Sequence, residues 1–166
     1  MYILFSLLFL IFTLSLQLVN FAAIKILNIN PNFVFIFIIL WSLLFGFRKT
    51  FWLALLGGFI IDLHAHIFGF FMTFFILTAF FTDLFNHYIF IKKPIIVISL
   101  INIIFTGFYF LFNNWFFYHF LLSNKLILNL FLLLIYNFLL LIIFYPLFNL
   151  LKEKIYQYEN KQRLPI

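Results

Sequence analysis

Residues 50–85 read TFWLALLGGFIIDLHAHIFGFFMTFFILTAFFTDLF, and the number of helices that this stretch forms decides the fold. The stretch is apolar almost throughout, but a glycine pair at 57–58 and the polar cluster around Asp62 interrupt it. One helix over all of it would be about 54 Å long at 1.5 Å per residue. That length far exceeds the roughly 30 Å hydrocarbon core of a bilayer. The sequence therefore predicts two short helices here, joined near residues 63–68.

The composition of the whole chain excludes the soluble class of proteins. Hydrophobic residues make up 67% of the 166 residues and charged residues only 8%, whereas a soluble domain is about half apolar and about a quarter charged. We therefore expect an integral membrane protein. The absence of cysteine excludes disulfides, thiolate metal sites and a cysteine nucleophile. The net charge of +6 comes from basic residues at the edges of apolar runs, which is typical of topology signals, so no nucleic-acid partner is expected.

Apolar runs on both sides of this stretch are candidates for further membrane spans, since a spanning helix needs about 20 mostly apolar residues. With the two central helices, Thr50–His64 and His66–Phe85, the predicted spans are Tyr2–Ile24, Asn32–Phe47, Pro94–Asn113 and Leu126–Leu151. Pro31 precedes the second of these runs and suits the start of a helix. The fold class expected is an all-α membrane protein with about six transmembrane helices.

Two segments lie outside the predicted spans. Residues 115–122, WFFYHFLL, are too short to cross a membrane, and their aromatic residues are typical of an interfacial segment. Residues 152–166 form a polar stretch that is too small to fold alone, and we expect it to lie along the inner membrane surface. The predicted organisation is a single polytopic domain over 1–151 and a short basic cytoplasmic tail over 152–166.

Basic residues give an independent test of the span count, because Lys and Arg concentrate in cytoplasmic loops. Six spans with both termini inside leave only Lys25 and Lys125 on the outer side, against eight basic residues on the inner side. Fusing the two central helices would instead divide the ten basic residues three against seven. The bias favours six spans and a multi-pass protein whose N and C termini are cytoplasmic.

Ala54, Gly58 and Asp62 are spaced four residues apart and share one face of the predicted third helix. Small residues at this spacing let another membrane helix approach closely. Because a carboxylate is costly in a bilayer, Asp62 should face protein or water. It could form an ion or substrate site, or it could cap the next helix through backbone N–H groups. The position of Asp62 near a predicted helix end favours the second interpretation.

Two Asp-x-x-x-His pairs, Asp62 with His66 and Asp83 with His87, could each place both side chains on one helical face. In the six-span arrangement the two pairs lie near opposite membrane surfaces, so their side chains do not converge on one site. Catalytic zinc needs three converging protein ligands. The chain also lacks HExxH and GxSxG motifs. We therefore expect that the protein is not an enzyme and that it binds no metal ion and no cofactor. Asn137, deep in the last run, is expected to form hydrogen bonds across helices.

Residues 31–81 resemble the central region of the MreD family of rod shape-determining membrane proteins. That family has a proline before the second span, a G-x-x-x-G-x-x-x-D pattern in the third and a glycine at the start of the fourth. Pro31, Ala54, Gly58, Asp62 and Gly69 occupy those positions here. Ala54 stands where glycine is commoner, and the interval from Asp62 to Gly69 is a residue shorter than usual.

The resemblance implies a non-enzymatic scaffold in the bacterial inner membrane that serves cell-shape maintenance and lateral wall synthesis. Its expected partners are an MreC-like bitopic protein, the MreB filament, RodA and a penicillin-binding protein, besides the lipid bilayer and a second copy in a homodimer. The same residues are expected to serve helix packing or partner docking. The family fold is similar to the six-helix S components of energy-coupling-factor transporters, which implies an alternative function as a vitamin-binding transport subunit.

The two functions differ in the polar groups that they require. A vitamin-binding subunit needs a cavity with several converging polar side chains. The predicted outer loops offer few such side chains, chiefly Asn113, Asn114, His119 and Asn124. Close helix packing needs only the stripe that ends at Asp62, so the sequence favours the scaffold.

Overall fold

A computed structural model of the chain describes residues 2–19, 30–67, 69–89, 94–118 and 124–163, without the side chains of residues 89, 113–118, 124–126 and 158–163. Within these ranges every regular element is helical. The helices are α1 (Tyr2–Leu18), α2 (Phe33–Phe45), α3 (Phe47–Ala65), α4 (Phe70–Leu84), α5 (Pro94–Tyr118) and α6 (Asn124–Arg163). A π-helical turn at Phe85–Ile89 extends α4. The prediction of six helices, with two in the stretch 50–85, is confirmed.

Helix α2 lies at the centre of the bundle. Residues 33–44 are all buried, and α1, α3, α4 and α6 pack around them. The sequence of α2, FVFIFIILWSLLF, has no polar face, which is typical of a helix that is surrounded by protein. The aromatic residues of α2 contact rings on other helices, as where Trp41 packs edge-on against Phe148 of α6.

Three segments of the described chain are long and apolar enough to cross a membrane, judged by length and composition: Phe70–Tyr88, Pro94–Phe112 and Ile127–Gln157. Tyr2–Leu18 and Phe33–Phe45 are apolar but shorter. The outer faces of α5 and α6 expose large apolar side chains such as Ile103 and Phe131. Such surfaces suit contact with lipid tails rather than water.

The end of α6 differs from the prediction. Residues 152–163 continue α6 past Pro146 as one helix, so the helix does not end at Leu151, where the predicted last span ends. Ile155 is only 4% exposed, and the ring of Tyr156 stacks on Phe45 of α2. Packing against the bundle therefore extends the helix beyond the last apolar residues.

Helix α5 also runs further than predicted. Residues 115–118 continue it to Tyr118, so this part of the aromatic segment is not a separate interfacial piece. Residues 119–122 of that segment lie outside the described residues, as do the side chains of Asn113, Asn114, His119 and Asn124.

The start of α2 is fixed by hydrogen bonds rather than by Pro31, which precedes the N-cap residue Asn32. The Oδ1 atom of Asn32 accepts a hydrogen bond from the N–H of Phe35 at 3.0 Å. Gln17 of α1 reaches across and accepts the N–H of Phe33 at 2.8 Å. Two of the N–H groups that a helix start leaves free are thereby satisfied inside the protein.

A chain of buried polar side chains links this start to α5 and α6. The N–H of Asn32 donates to Asn137 Oδ1 at 3.2 Å, and Asn137 Nδ2 donates to Thr106 Oγ1 at 3.3 Å. The Thr106 hydroxyl in turn donates to Asn102 Oδ1 at 3.0 Å. The prediction that Asn137 bonds across helices is confirmed.

Candidate functional sites at the two ends of the α3–α4 hairpin

Helices α3 and α4 pack closely against each other, and the absence of a side chain at Gly58 allows this approach. A methyl group at Gly58 would lie 2.8 Å from the carbonyl carbon of Phe71 and would overlap the backbone of Met72. Ala54, one turn earlier, is completely buried. The stripe predicted from the sequence therefore lies within the protein, where α3 presses on the first turn of α4.

Asp62 continues the stripe and caps α4. Its Oδ1 atom accepts the N–H of Phe71 at 2.7 Å, while its Oδ2 atom accepts the N–H groups of Gly69 and Met72, both at 3.1 Å. The side chain is only 2% exposed. A helix start carries a partial positive charge and unpaired N–H groups, so the carboxylate is well matched to this position.

The turn between the helices brings the chain back onto Asp62. His66 ends α3 in the left-handed conformation, with φ of 55°, and Gly69 begins α4 with φ of 86°. A left-handed backbone suits glycine, which lacks a Cβ atom. His64 and His66 are exposed beside this turn, whereas the Asp62 carboxylate is engaged by backbone donors.

The predicted site residues thus fall into two groups. Ala54, Gly58, Asp62 and Gly69 lie along the contact between α3 and the start of α4. Pro31 lies before α2 instead. These contacts are those of helix packing and capping, while a role in partner docking stays a prediction.

Asp83 lies at the other end of α4, about 18 Å from Phe71 at the helical rise of 1.5 Å per residue. Its Oδ1 atom is 3.0 Å from Nδ1 of His87 on the π-helical turn. That distance suits an ion pair, but the alignment is not that of a hydrogen bond, and Oδ1 is buried with no hydrogen-bond donor. The two Asp-x-x-x-His pairs are therefore far apart, and only the second brings its side chains together.

A cleft of about 470 Å³ opens beside Asp83, between the α2–α3 junction and α6. We call it the Asp83 cleft. Its polar lining residues are Arg48, Asp83, Asn86, His87, Lys152 and Tyr156. The sequence pattern marks Arg48 and Lys152 only as topology signals. Their convergence could not be seen in the sequence, because the two residues lie on helices far apart in the chain.

The backbone at this end is shaped by Gly46, which separates α2 from α3 with φ of 81°. A methyl group placed on Gly46 would lie 3.4 Å from Asp83 Oδ1. Asp83 therefore sits close against the start of α3. Asn86, on the π-helical turn, donates from Nδ2 to the carbonyl of Leu43 at 3.3 Å and so closes the turn onto the end of α2.

Lys49 lies beside this cleft among three aromatic rings. Its Nζ atom is 4.8 Å from the ring centre of Tyr2, 5.9 Å from that of Phe45 and 5.8 Å from that of Tyr156. Such cation–π contacts contribute about 0.5–1 kcal/mol each at exposed sites. They join α1, α2, α3 and α6 at one end of the bundle.

Acidic and histidine side chains do not converge further in the part of the chain that the structure describes. No three His, Cys, Asp or Glu side chains there approach closely enough to hold a metal ion.

Comparison with known proteins identifies the family. A family model described as rod shape-determining protein MreD matches residues 1–155. The chain belongs to the MreD family. It is an integral membrane protein with a role in rod shape determination, and its apolar helices agree with that assignment.

The other two comparisons found no relatives of the MreD-family chain. No curated protein and no solved structure matches it. The expected likeness to the S-component fold, the alternative function in vitamin transport and the expected homodimer are therefore without support.

Proposed function

We propose that this MreD-family chain is a non-enzymatic scaffold of the bacterial inner membrane that docks an MreC-like bitopic protein. Through that partner it links RodA and a penicillin-binding protein to the MreB cytoskeleton during lateral wall synthesis. The observation that carries the proposal is the family match over residues 1–155, nearly the whole chain. The exposed apolar helix faces support it, because they give a partner helix surfaces on which to pack.

We further propose that the partner's membrane helix packs in the groove between α1 and α6. The groove has a volume of about 410 Å³, and its floor is formed by α2 residues that include Ile36 and Leu40. Thr13 of α1 and Leu147 of α6 lie on its two walls. Helix association in membranes depends on close packing, since lipid offers no hydrophobic driving force. A groove that reaches the central helix gives a partner span more packing contacts than a convex surface would.

The α3–α4 hairpin supports this groove from behind. A methyl group on Gly57 would lie 3.1 Å from Leu10 of α1 and 3.2 Å from Val34 of α2, so α3 sits tightly against both helices. Gly58 and Asp62 hold α3 on α4 in turn. We propose that these residues act in partner docking indirectly, by fixing the positions of the helices that form the groove.

The absence of cysteine in the chain allows a direct test. Leu147→Cys places a thiol on the groove wall, and Ile103→Cys places one on α5. These side chains are similarly exposed, at 52% and 59%. Each variant would be co-expressed with an MreC-like partner that carries one cysteine in its span, and the membranes would be treated with copper phenanthroline, a membrane-permeant oxidant that joins neighbouring thiols as a disulfide. We expect a cross-linked pair with Leu147→Cys and none with Ile103→Cys.

Two further results distinguish the parts of the proposal. If a pulldown recovers the partner but both cysteine positions cross-link to it equally, the docking surface lies outside the groove. Failure to recover an MreC-like protein, with recovery of an energising transport module instead, would overturn the scaffold function itself.

A further inference from the structure

The Asp83 cleft has no part in the proposed docking groove, yet it has the features of a binding site. It gathers side chains from α3, α4, the π-helical turn and α6. π-Helical turns are rare in proteins. Here the turn places Asn86 and His87 in the cleft lining.

The Asp83 carboxylate lacks a donor. Among the described residues, its Oδ1 is the buried side-chain atom with no hydrogen-bond partner. Buried polar atoms in proteins are nearly always paired, so an unpaired carboxylate oxygen calls for an explanation. His87 is close enough for an ion pair but misaligned, and hydrogen bonds weaken steeply away from linear geometry. The Asp83 side chain as a whole is 29% exposed. Since Oδ1 is the buried oxygen, a donor from outside the chain reaches the carboxylate through its other oxygen, Oδ2.

Basic side chains line the same cleft. Arg48 at the start of α3 and Lys152 on α6 both border it. Guanidinium and ammonium groups are the usual protein partners of phosphate. With one carboxylate against two permanent cations, the cleft suits a ligand of net negative charge that also offers a hydrogen-bond donor.

The place of the cleft in the bundle indicates where that ligand comes from. Charged side chains avoid the hydrocarbon core, and tyrosine and lysine concentrate at membrane interfaces. Tyr2, Lys49 and Tyr156 surround the end of the bundle at which the cleft opens. The cleft also contacts the apolar side chains of Leu43 and Leu44. It therefore lies where phospholipid headgroups meet the acyl chains.

We propose that the Asp83 cleft binds the headgroup of an anionic phospholipid whose phosphate stands next to a hydroxyl donor, as in phosphatidylglycerol. Arg48 and Lys152 bind the phosphate, and the headgroup hydroxyl donates to the Asp83 carboxylate through its accessible oxygen, Oδ2. Basic pockets between helices on the cytoplasmic side of membrane proteins bind anionic headgroups in this manner.

The phosphate contacts can be tested by native mass spectrometry. The full chain in detergent is titrated with defined lipids, and the bound lipid is measured. Lys152→Gln removes a cation from the cleft, and Arg48→Gln removes the other. Lys154→Gln is the matched control, because Lys154 lies on the same helix but lines the groove of α1 and α6 instead.

We expect phosphatidylglycerol binding to weaken about fivefold in each cleft variant, since a basic residue near an anionic surface contributes about 1 kcal/mol. Lys154→Gln should leave binding within about twofold of the wild type by the same measure. Equal losses in Lys152→Gln and Lys154→Gln would overturn the proposal, because they would indicate general surface attraction.

A pair of lipids tests the role of Asp83. Phosphatidylmethanol has the net charge of phosphatidylglycerol but lacks its hydroxyl donors. We expect the wild type to prefer phosphatidylglycerol, and Asp83→Ala to bind both lipids equally. Asp83→Asn keeps the shape of the side chain and a neutral acceptor, and should show an intermediate preference, because hydrogen bonds to an ionised acceptor are roughly twice as strong.

Other outcomes contradict the proposal. Equal binding of the two lipids by the wild type would remove the role of Asp83. Tighter binding of phosphatidylethanolamine than of phosphatidylglycerol would show that the donor is an ammonium and that net charge does not select the ligand. A co-purified polypeptide that protects Lys152 from chemical modification, with no bound lipid, would show that the cleft is a protein contact.

Discussion

Asp62 and Asp83 carry the same side chain at opposite ends of one helical hairpin, but their surroundings differ completely. Asp62 accepts three backbone N–H groups and is almost fully buried. Asp83 has a buried oxygen with no hydrogen-bond donor and borders an open cleft. A saturated carboxylate stabilises its own fold, whereas one that lacks a donor is available to a ligand. The aspartate that the family pattern marks is therefore the structural one.

Replacement of Asp62 should destabilise the protein in a graded way. Asp62→Asn keeps an acceptor oxygen but loses the charge and an acceptor, and Asp62→Leu leaves all three N–H groups unpaired. A buried donor that loses its partner costs about 1–3 kcal/mol. We expect the thermal unfolding temperature in detergent to fall in the order wild type, Asp62→Asn, Asp62→Leu.

Membrane insertion serves as the control for Asp62→Leu. Leucine is apolar, so the third helix of the variant should enter the bilayer as readily as that of the wild type. The amount of protein in the membrane fraction should therefore equal that of the wild type. An unfolding temperature of Asp62→Leu equal to that of the wild type would show that the cap does not stabilise the fold.

Helices α3 and α4 show which features of an element the sequence reveals. The four-residue spacing of Ala54, Gly58 and Asp62 predicts a close-packing face, and the length of the apolar stretch predicts two helices rather than one. The spacing does not reveal that the face meets the first turn of α4, because the approach depends on how the turn at Gly69 folds back. Local pattern predicts the helices, and the turn geometry decides what they contact.

The approach of the two helices leads to a prediction for Gly58→Ala. The added methyl group would overlap backbone atoms of Met72, which cannot rotate away as a side chain could. The helices must separate, and overpacking of this kind typically costs about 1–3 kcal/mol. We expect a clear drop in the thermal unfolding temperature in detergent.

Gly107→Ala in α5 is the matched control for Gly58→Ala. A methyl group there would meet no atom within 4 Å, and alanine is favoured over glycine inside a helix by about 1 kcal/mol. This variant should unfold at the wild-type temperature or above it. Equal losses in both variants would mean that the close approach at Gly58 is not what limits stability.

Helix α6 and the Asp83 cleft show where sequence reasoning fails. The charged run KEKIYQYENKQR predicts the end of a membrane span, but it does not forbid a helix, and Ile155 and Tyr156 supply packing that continues one. The cleft joins Arg48, Asp83 and Lys152, which are separated along the chain by whole helices. Only the arrangement of those helices brings the three side chains to one cleft.

At the scale of the whole molecule, the bundle is built around a short central helix. Helix α2 has 13 residues, about 20 Å at 1.5 Å per residue, which is less than the roughly 30 Å of a hydrocarbon core. Its ends therefore need polar partners within the protein. Gln17, Asn137 and Asn32 itself supply these partners at the start of α2. This arrangement accounts for buried amide side chains in so apolar a sequence.

Both ends of the α3–α4 hairpin are accessible, so single cysteines can establish the orientation of the bundle. The bias of basic residues favours cytoplasmic termini, which places His66 outside and places Tyr88 and Gln157 inside; all three are exposed. In sealed right-side-out vesicles, a membrane-impermeant maleimide should label His66→Cys at once and label Tyr88→Cys and Gln157→Cys only after permeabilisation. Ile104→Cys, on the apolar outer face of α5, should resist labelling throughout, because maleimide reacts with the aqueous thiolate. Labelling of Tyr88→Cys in sealed vesicles with protection of His66→Cys would invert the orientation and place the Asp83 cleft on the outer side.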